Sequence, residues 1–340
     1  MQEIIRFGVI GSGGIATLWL KGARQVTTMK VVAIHSLDEA SAKELANTFD
    51  IPSVEASLEA MLSRADIDAI YVATPHTSHY ENTMKALSHG KHVLCEKPMG
   101  INLQQEQEMF ATAKKAGCFL MEATWMRLFP AMQALRDVIA SGAIGRVRNI
   151  RATFSYNAEG LPATHRLMSP ALAGGGLLDV GVYCLHFCQA LLLANPTKLS
   201  GMASINATKE QYGVDEQCNI IAEYPDDVLA FLCCAILTDM GEDAVIYGTK
   251  GRIVLPVFWK PTTYTVINEA GENTVTIPVP QLDESLADVG YQYEINHMVE
   301  CLRNGRLESP EITHENSLAI IEQCDELRKQ WGLVYPDEKN

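Results

Sequence analysis

The run Val9-Ile10-Gly11-Ser12-Gly13-Gly14-Ile15-Ala16 constrains this chain more than any other segment. It follows a β-rich stretch at 4–10 and opens a helical pattern at 15–25, with the spacing GxGxxA. Gly11 permits a tight turn, Gly13 lets the backbone approach a pyrophosphate, and the small Ala16 lets helix and strand pack closely. The helix N-terminus adds N–H donors and a partial positive charge. Such a turn alone is compatible with a mere chain reversal. Its place between strand and helix, with more βα units behind it, makes it a dinucleotide-binding turn contacted through Gly11, Ser12, Gly13, Gly14 and Ile15.

The units that follow fit this reading. Strands are expected at 30–35, 69–73, 92–95 and 118–122, and helices at 41–49, 80–89 and 103–116. That alternation specifies a mostly parallel sheet covered on both faces. Beyond Glu122 the texture changes. A helix at 131–141 leads to 147–156, where Ile150, Ala152, Phe154 and Tyr156 alternate with Arg151, Thr153 and Ser155, the period of a half-buried strand. Further strands are expected at 199–208, 217–224, 228–237, 244–248, 251–255, 263–267 and 274–279, and helices at 291–304 and 314–331. The sequence therefore predicts an α/β Rossmann domain at 1–122. An α+β domain with a large, mostly antiparallel open sheet follows at 123–340, its last helix free to pack back on the first domain.

Charge narrows the partners. Lys plus Arg number 27 against 41 Asp plus Glu, a net charge of −14. This disfavours nucleic acid or an anionic membrane, both of which need a basic face. No stretch reads as the ~20 apolar residues of a membrane span, and the first residues lack the pattern of a signal peptide. The nine cysteines are scattered without a CxxC pair. They read as buried thiols in a reducing cytosol, with no metal site or disulfide framework.

The end of the second strand selects the cofactor, an acid there favouring NAD and a base NADP. The chain has His35-Ser36-Leu37, with neither. Asp38 and Glu39 come slightly later, where the first turn of the next helix also accounts for them. With no acid at the key position and a hydroxyl at Ser36, the expectation is NADP or NAD, leaning to NADP, with Ser36 and Leu37 as contacts. Thr74, Pro75, His76 and His79 follow the third strand and are expected at the cofactor; two histidines without a third ligand argue poorly for zinc. Glu96 and Lys97 end the fourth strand, where ligands bind in such sheets. Pro98 restrains Lys97, although spacing alone reads a lysine as surface.

GSGGIA, Ala73-Thr74-Pro75-His76 with His79, and GKHVLCEKP together resemble the glucose–fructose oxidoreductase/inositol dehydrogenase (Gfo/Idh/MocA) family. Glu122-Ala123-Thr124-Trp125-Met126-Arg127 is similar to the family's EAxWxR segment, and 174–183 to its GGGxLxDxGxY segment. The C-terminal stretch, Asp325–Arg328 with 332–336, most resembles its dihydrodiol/xylose dehydrogenase branch. The resemblance implies hydride transfer between a nicotinamide and a carbinol carbon of a sugar, polyol or trans-dihydrodiol. It makes Lys97 and Tyr183 the catalytic pair, and it implies a homodimer or higher oligomer through the C-terminal sheet. A free tyrosine titrates near ~10, and a neighbouring ammonium favours the phenolate and stabilises charge on the substrate oxygen. Tyr183 is thus the expected acid/base and Lys97 its tuning partner.

Trp125, Arg127 and Phe154 join Asp179 as expected substrate contacts. On sequence alone an aromatic residue here also reads as core, and Asp179 as a helix-terminal carboxylate. His165, Arg166 and His186 are further candidates for substrate contact, surface or core positions being their alternatives. Two other functions fit the motifs: a glycoside hydrolase that oxidises its substrate transiently with NAD, and an NAD(P)-binding sensor without catalysis. A sensor needs the glycine turn but has no use for Lys97 and Tyr183. The apolar strand at 228–237, with Leu229, Phe231 and Leu232, serves either a dimer face or packing against helices.

Overall fold

The computed structural model describes residues 4–206, 213–279 and 290–339. The chain divides into two units, Met1–Leu128 with Val279–Leu318, and Phe129–Pro278 with Ala319–Asn340. The break expected after residue 122 falls at 128, and the first unit also takes back a later segment. Part of the reason lies in α1 (Gly14–Ala23) and α8 (Gln292–Arg303). A β-carbon on Gly22 would stand 2.6 Å from the Cβ of Tyr291, so the missing side chain lets the two helices close on each other.

In the first unit β1 (Ile5–Ile10), β2 (Met29–His35), β3 (Ala69–Val72), β4 (His92–Glu96) and β5 (Leu120–Ala123) form a parallel sheet in the order β2-β1-β3-β4-β5. The strand order reverses between β1 and β3, and a crevice opens there at the strands' carboxyl ends. On one face α4 (His76–Ser88) and α5 (Leu103–Ala116) share a core of Ile70, Leu87, Val93, Met109 and Leu120. On the other, Trp19 of α1 stacks on Tyr71 at 4.2 Å and meets Phe7. A five-residue helix, α3 (Leu58–Leu62), capped by Ser57, had no counterpart in the sequence reading.

The second unit is built on an eight-stranded sheet, β13-β12-β11-β10-β6-β9-β8-β7. Its strands are β6 (Val147–Ser155), β7 (Lys198–Ile205), β8 (Asp215–Tyr224), β9 (Val228–Ala235), β10 (Ala244–Gly248), β11 (Gly251–Leu255), β12 (Thr263–Asn268) and β13 (Gly271–Thr276). All pairings are antiparallel except β6 with β9. Residues 207–208 of the expected strand 199–208 lie outside the described residues. Register carries Val266, Ile253, Ile246, Ile150, Ala230 and Ala222 across the sheet in one buried row. The opposite face leaves Met202, Ile221, Leu229 and Phe231 exposed.

The buried face carries α6 (Pro130–Ala140), a π-helical turn Leu177–Gly181 and α7 (Val182–Leu192). Here the sequence reading of membrane spans needs correcting. Pro170–Leu192 is long and apolar enough to span a bilayer, yet 89% of its apolar window is buried inside the protein, which makes it a core element. It starts at a crowded glycine turn. A β-carbon on Gly174 would meet the Leu167 carbonyl oxygen at 2.5 Å, and one on Gly175 (φ 109°) would meet Asp215 Oδ1 at 2.1 Å. Asp215 Oδ2 in turn accepts the Leu177 N–H at 2.6 Å and so caps the π turn.

Gly175→Ala therefore combines backbone strain with a clash and should cost about 3 kcal/mol or more. Gly117→Ala, also at positive φ (65°) but with open space around it, should cost about 1 kcal/mol. Thermal melts of the two variants test this ordering.

Candidate active site

Two helices that open on the crevice lack side-chain caps. Asp38, Ser57 and Asn102 cap α2 (Glu39–Phe49), α3 and α5 by accepting backbone N–H groups. α1 begins at Gly13 and α4 at Pro75, each without a side-chain cap bond. These are the helices that follow β1 and β3, the strands at the reversal. Gly13 and Gly14 are exposed, with nothing within 4 Å of where a β-carbon would stand. Free N–H groups, a positive helix end and open space fit a pyrophosphate. Gly11 fixes the turn: its φ is 106°, and a β-carbon there would lie 2.3 Å from the carbonyl oxygen of Ala73.

Beside it, Ser12 Oγ donates to Ser36 Oγ at 2.8 Å and Ser41 Oγ donates to Ser12 O at 3.1 Å. The glycine turn and the turn after β2 are thus tied together, and Leu37 in the second is wholly exposed. Ile15 is half-buried in the first turn of α1.

The residues around Lys97 divide by direction. Lys97 is partly exposed at the end of β4, followed by a cis peptide to Pro98. Glu96, expected at the cofactor, instead turns inward. It is buried, accepts the Tyr71 hydroxyl at 2.5 Å and takes the Lys97 N–H at 3.3 Å. Burial pushes its carboxyl up to about 7, against the opposing pull of the Tyr71 donor. Glu294 of α8 lies close by, completely buried, with neither oxygen hydrogen-bonded; burial and the Glu96 charge raise it well above the carboxylate range. The turn after Lys97 hangs on two more buried acids, with Met99 N–H donating to Glu122 and Gly100 N–H to Glu106.

His79 also turns inward. It is buried, and its ring nitrogens face the carbonyl oxygens of Pro98 (2.8 Å) and Thr74 (2.7 Å). A neutral ring donates to only one of them, and both nitrogens are turned towards these carbonyls. Its place is a clamp between the β3 loop and the Lys97 turn, which leaves no ring nitrogen for cofactor. His76 is buried at the start of α4, edge-on to His79, and Thr74 accepts from Asn82. Trp125 and Arg127 sit in a 3-10 turn, Trp125–Leu128, and both are buried. Trp125 stacks on Tyr291 at 4.2 Å and Arg127 Nη2 donates to Asn316 at 3.2 Å, so both have partners inside the first unit.

In the second unit the π turn feeds α7, whose second residue is Tyr183. The Tyr183 ring meets Phe154 edge-on at 5.4 Å and Trp259 at 6.4 Å, while Phe154 and Trp259 stack at 5.0 Å. Trp259, in the loop after β11, escaped the sequence reading because no periodicity marks it; proximity comes only from the fold. Asp179 is engaged by two neighbours: its Oδ1 accepts Arg166 at 2.7 Å and its Oδ2 accepts the Tyr156 hydroxyl. It orders the 156–166 loop as well as ending the glycine turn. His165 is half-buried and its Nδ1 accepts the Leu167 N–H, whereas His186 is wholly buried in α7.

All nine cysteines are free and buried. Asp215, Cys218 and Cys234 come within 4.8 Å of one another, a grouping the sequence did not show. The two sulfurs are 2.9 Å apart. Thiolates at ~2.3 Å from one tetrahedral zinc would stand roughly 3.7 Å apart, so the pair is packed more tightly than a zinc site requires. Asp215, buried and pushed up to about 7 by that burial, already serves the Leu177 N–H.

A sequence model described as an oxidoreductase family with an NAD-binding Rossmann fold matches residues 5–124, and that of the GFO/IDH/MocA C-terminal domain matches 132–254. The chain belongs to the Gfo/Idh/MocA oxidoreductases. The trans-1,2-dihydrobenzene-1,2-diol dehydrogenase of Mus musculus is 36% identical to it over 98% of this chain and 99% of its own. That of Homo sapiens is 35% identical, with the same coverage. Among solved structures, a 3-ketoreductase from Actinomadura kijaniata in complex with TDP-benzene and NADP superimposes with a TM-score of 0.85 at 25% identity, covering 97% of this chain and 98% of its own. Levoglucosan dehydrogenase, in complex with NADH and levoglucosan, shares the fold at a TM-score of 0.84 and 19% identity over 97% and 98% of the two chains. This Gfo/Idh/MocA member is an NAD(P)-dependent oxidoreductase.

The Glu96–Glu294 pair gives a signed test. Both carboxyls hold their protons more tightly folded than unfolded, so their contribution to stability is complete below about pH 4.5 and is lost as pH rises towards and beyond 7. Glu294→Gln removes one of them. Its loss of stability between pH 5 and pH 8 should be smaller than that of the wild type by at least about 1.4 kcal/mol, one pH unit of linkage. Parallel stability curves would show that Glu294 carries no such proton.

Proposed function

We propose that this enzyme oxidises a secondary alcohol carbon of a trans-dihydrodiol, a sugar or a polyol. The observation that carries the reading is the Tyr183 phenol set against the Phe154 and Trp259 rings. Such aromatic walls suit the apolar face of a dihydrodiol ring or the C–H face of a sugar. Full-length similarity to dihydrodiol dehydrogenases supports the same substrate class. The neighbouring ketoreductase has also been solved with a Tyr→Phe and with a Lys→Ala replacement, the residue types of the pair assigned here.

Gly11–Ile15 would hold the cofactor's pyrophosphate on the α1 N-terminus. A bound nicotinamide would supply the hydride acceptor for the carbinol carbon. Tyr183 takes the hydroxyl proton as that C–H bond breaks. The family resemblance pairs Lys97 with this tyrosine, and in that role its ammonium would stabilise negative charge growing on the substrate oxygen. Phe154 and Trp259 orient the substrate and keep water from the phenol.

Initial rates of nicotinamide reduction with dihydrodiols, aldoses and polyols test this. Tyr183→Phe should lower kcat by about 10²–10⁴ while nucleotide still binds. Near-wild-type turnover in that variant would remove Tyr183 from its role. Nucleotide binding without turnover on any substrate would turn attention to the transient-oxidation hydrolase or the sensor.

We also propose a homodimer through the open face of the eight-stranded sheet, in a reducing, cytosolic setting that suits nine free buried thiols. Exposed Met202, Ile221, Leu229 and Phe231 sit together on β7, β8 and β9, beside a groove of 720 Å³ lined by Leu199, Glu322 and Glu326. An apolar face of this kind marks an association surface. Light scattering should give a dimer for the wild type and a monomer for Phe231→Glu; a wild-type monomer at micromolar concentration would exclude this interface.

A further inference from the structure

The turn after β2 offers the Asp38 carboxylate to whatever lies on it and no lysine or arginine. From Val31 to Ala42 the chain contains no lysine or arginine. Lys43, the first to follow, places its Nζ 2.5 Å from Glu39 Oε1. His35 is turned away, its Nδ1 bonded to the Glu55 carbonyl at 2.9 Å. Asp38 Oδ1 accepts the Ser41 N–H at 3.1 Å, so a carboxylate already occupies the N-terminus of α2, where an incoming anion would otherwise be drawn.

The hydroxyls are partly committed. Ser36 Oγ accepts from Ser12 Oγ and from the Asp38 N–H at 3.3 Å, which leaves its single proton as the one side-chain donor of the turn, while Ser41 Oγ donates to Ser12 O. These bonds fix the turn against the glycine loop. Leu37, wholly exposed at the tip, brings neither charge nor a donor.

In a Rossmann domain this turn meets the ribose of the adenosine half. A ribose diol brings two O–H donors, which a carboxylate accepts well. A 2′-phosphate brings close to two negative charges and asks for cations and N–H donors. The groups present match the first and repel the second. The Ser36 hydroxyl, which on sequence alone tilts the choice to NADP, is fixed in place by accepting from Ser12 and brings one neutral donor, which does not balance a doubly charged phosphate.

We propose that this enzyme selects NAD(H) over NADP(H), with Asp38 as the acceptor for the ribose hydroxyls and Leu37 standing where a 2′-phosphate would need a cation. The inference rests on the NAD(P)-dependent reading above and names its cofactor. Solved relatives carry either one, NADP in the ketoreductase and NADH in levoglucosan dehydrogenase, so the fold leaves the choice to this turn.

Titration of the full-length protein with NADH and with NADPH, read by quenching of tryptophan fluorescence, tests the proposal without turnover. NADH should bind at least about tenfold tighter. Leu37→Arg, at a fully exposed site, and Leu37→Arg with Asp38→Asn should each raise the affinity ratio of NADPH to NADH, the double variant by about tenfold or more. Equal or tighter binding of NADPH by the wild type overturns the selection and leaves the oxidoreductase reading standing. A ratio unmoved in both variants overturns the assignment to this turn. Binding of neither nucleotide overturns both readings.

Discussion

The close approach of Gly11 to the carbonyl oxygen of Ala73 is the constraint on which the first unit turns. A side chain at Gly11 would force β1 and β3 apart at the one place where the strand order reverses. With the two strand ends held together, α1 and α4 start side by side, and neither start is filled by a side chain of its own. The other ties follow from that geometry. Ser12 fastens the β2 turn to the glycine loop, and His79 fastens the β3 loop to the Lys97 turn. The carboxylates of Glu96, Glu106 and Glu122 hold that last turn from below. Each bond is local, and together they set one rim.

The second unit solves a different problem: how to end a buried helix on a phenol. α7 is buried on nearly all sides, so it gives no amphipathic signal, and the π turn that leads into it needs an anchor for its first N–H group. Asp215, from a strand, supplies that anchor, and Gly174 and Gly175 make the room for it. The π turn then delivers Tyr183 against Phe154 and Trp259.

The alternation of β and α patterns made the first sheet legible, because a buried parallel strand and an amphipathic helix each leave a periodic trace. The period-2 run at 147–156 gave β6 in the same way. The family resemblance, and not spacing alone, singled out Lys97 and Tyr183. What spacing could not show was direction. Glu96 and His79 stand in the motif, but the fold turns both towards the interior, where Tyr71 and two carbonyl groups hold them. Trp259, Tyr156 and Glu294 were not legible, since each reaches its partners across a long stretch of chain and only folding brings them together. The short α3 carried too few residues for a periodic signal, and α7 was hidden by being buried all round.

The order of synthesis gives the return of α8 to the first unit a further meaning. The five parallel strands and their helices are complete by residue 128, but α8, which closes over Gly22 and brings Glu294 to Glu96, is about 160 residues later in the chain. At ~5–20 residues per second that interval is roughly 10–30 s on the ribosome. For that time the side of the sheet bearing Trp19, Tyr71 and the Glu96 carboxyl has left the ribosome without its cover. The nascent first unit is therefore an unfinished fold, its Gly22 face and the Glu96 carboxyl waiting for a helix that the ribosome makes later.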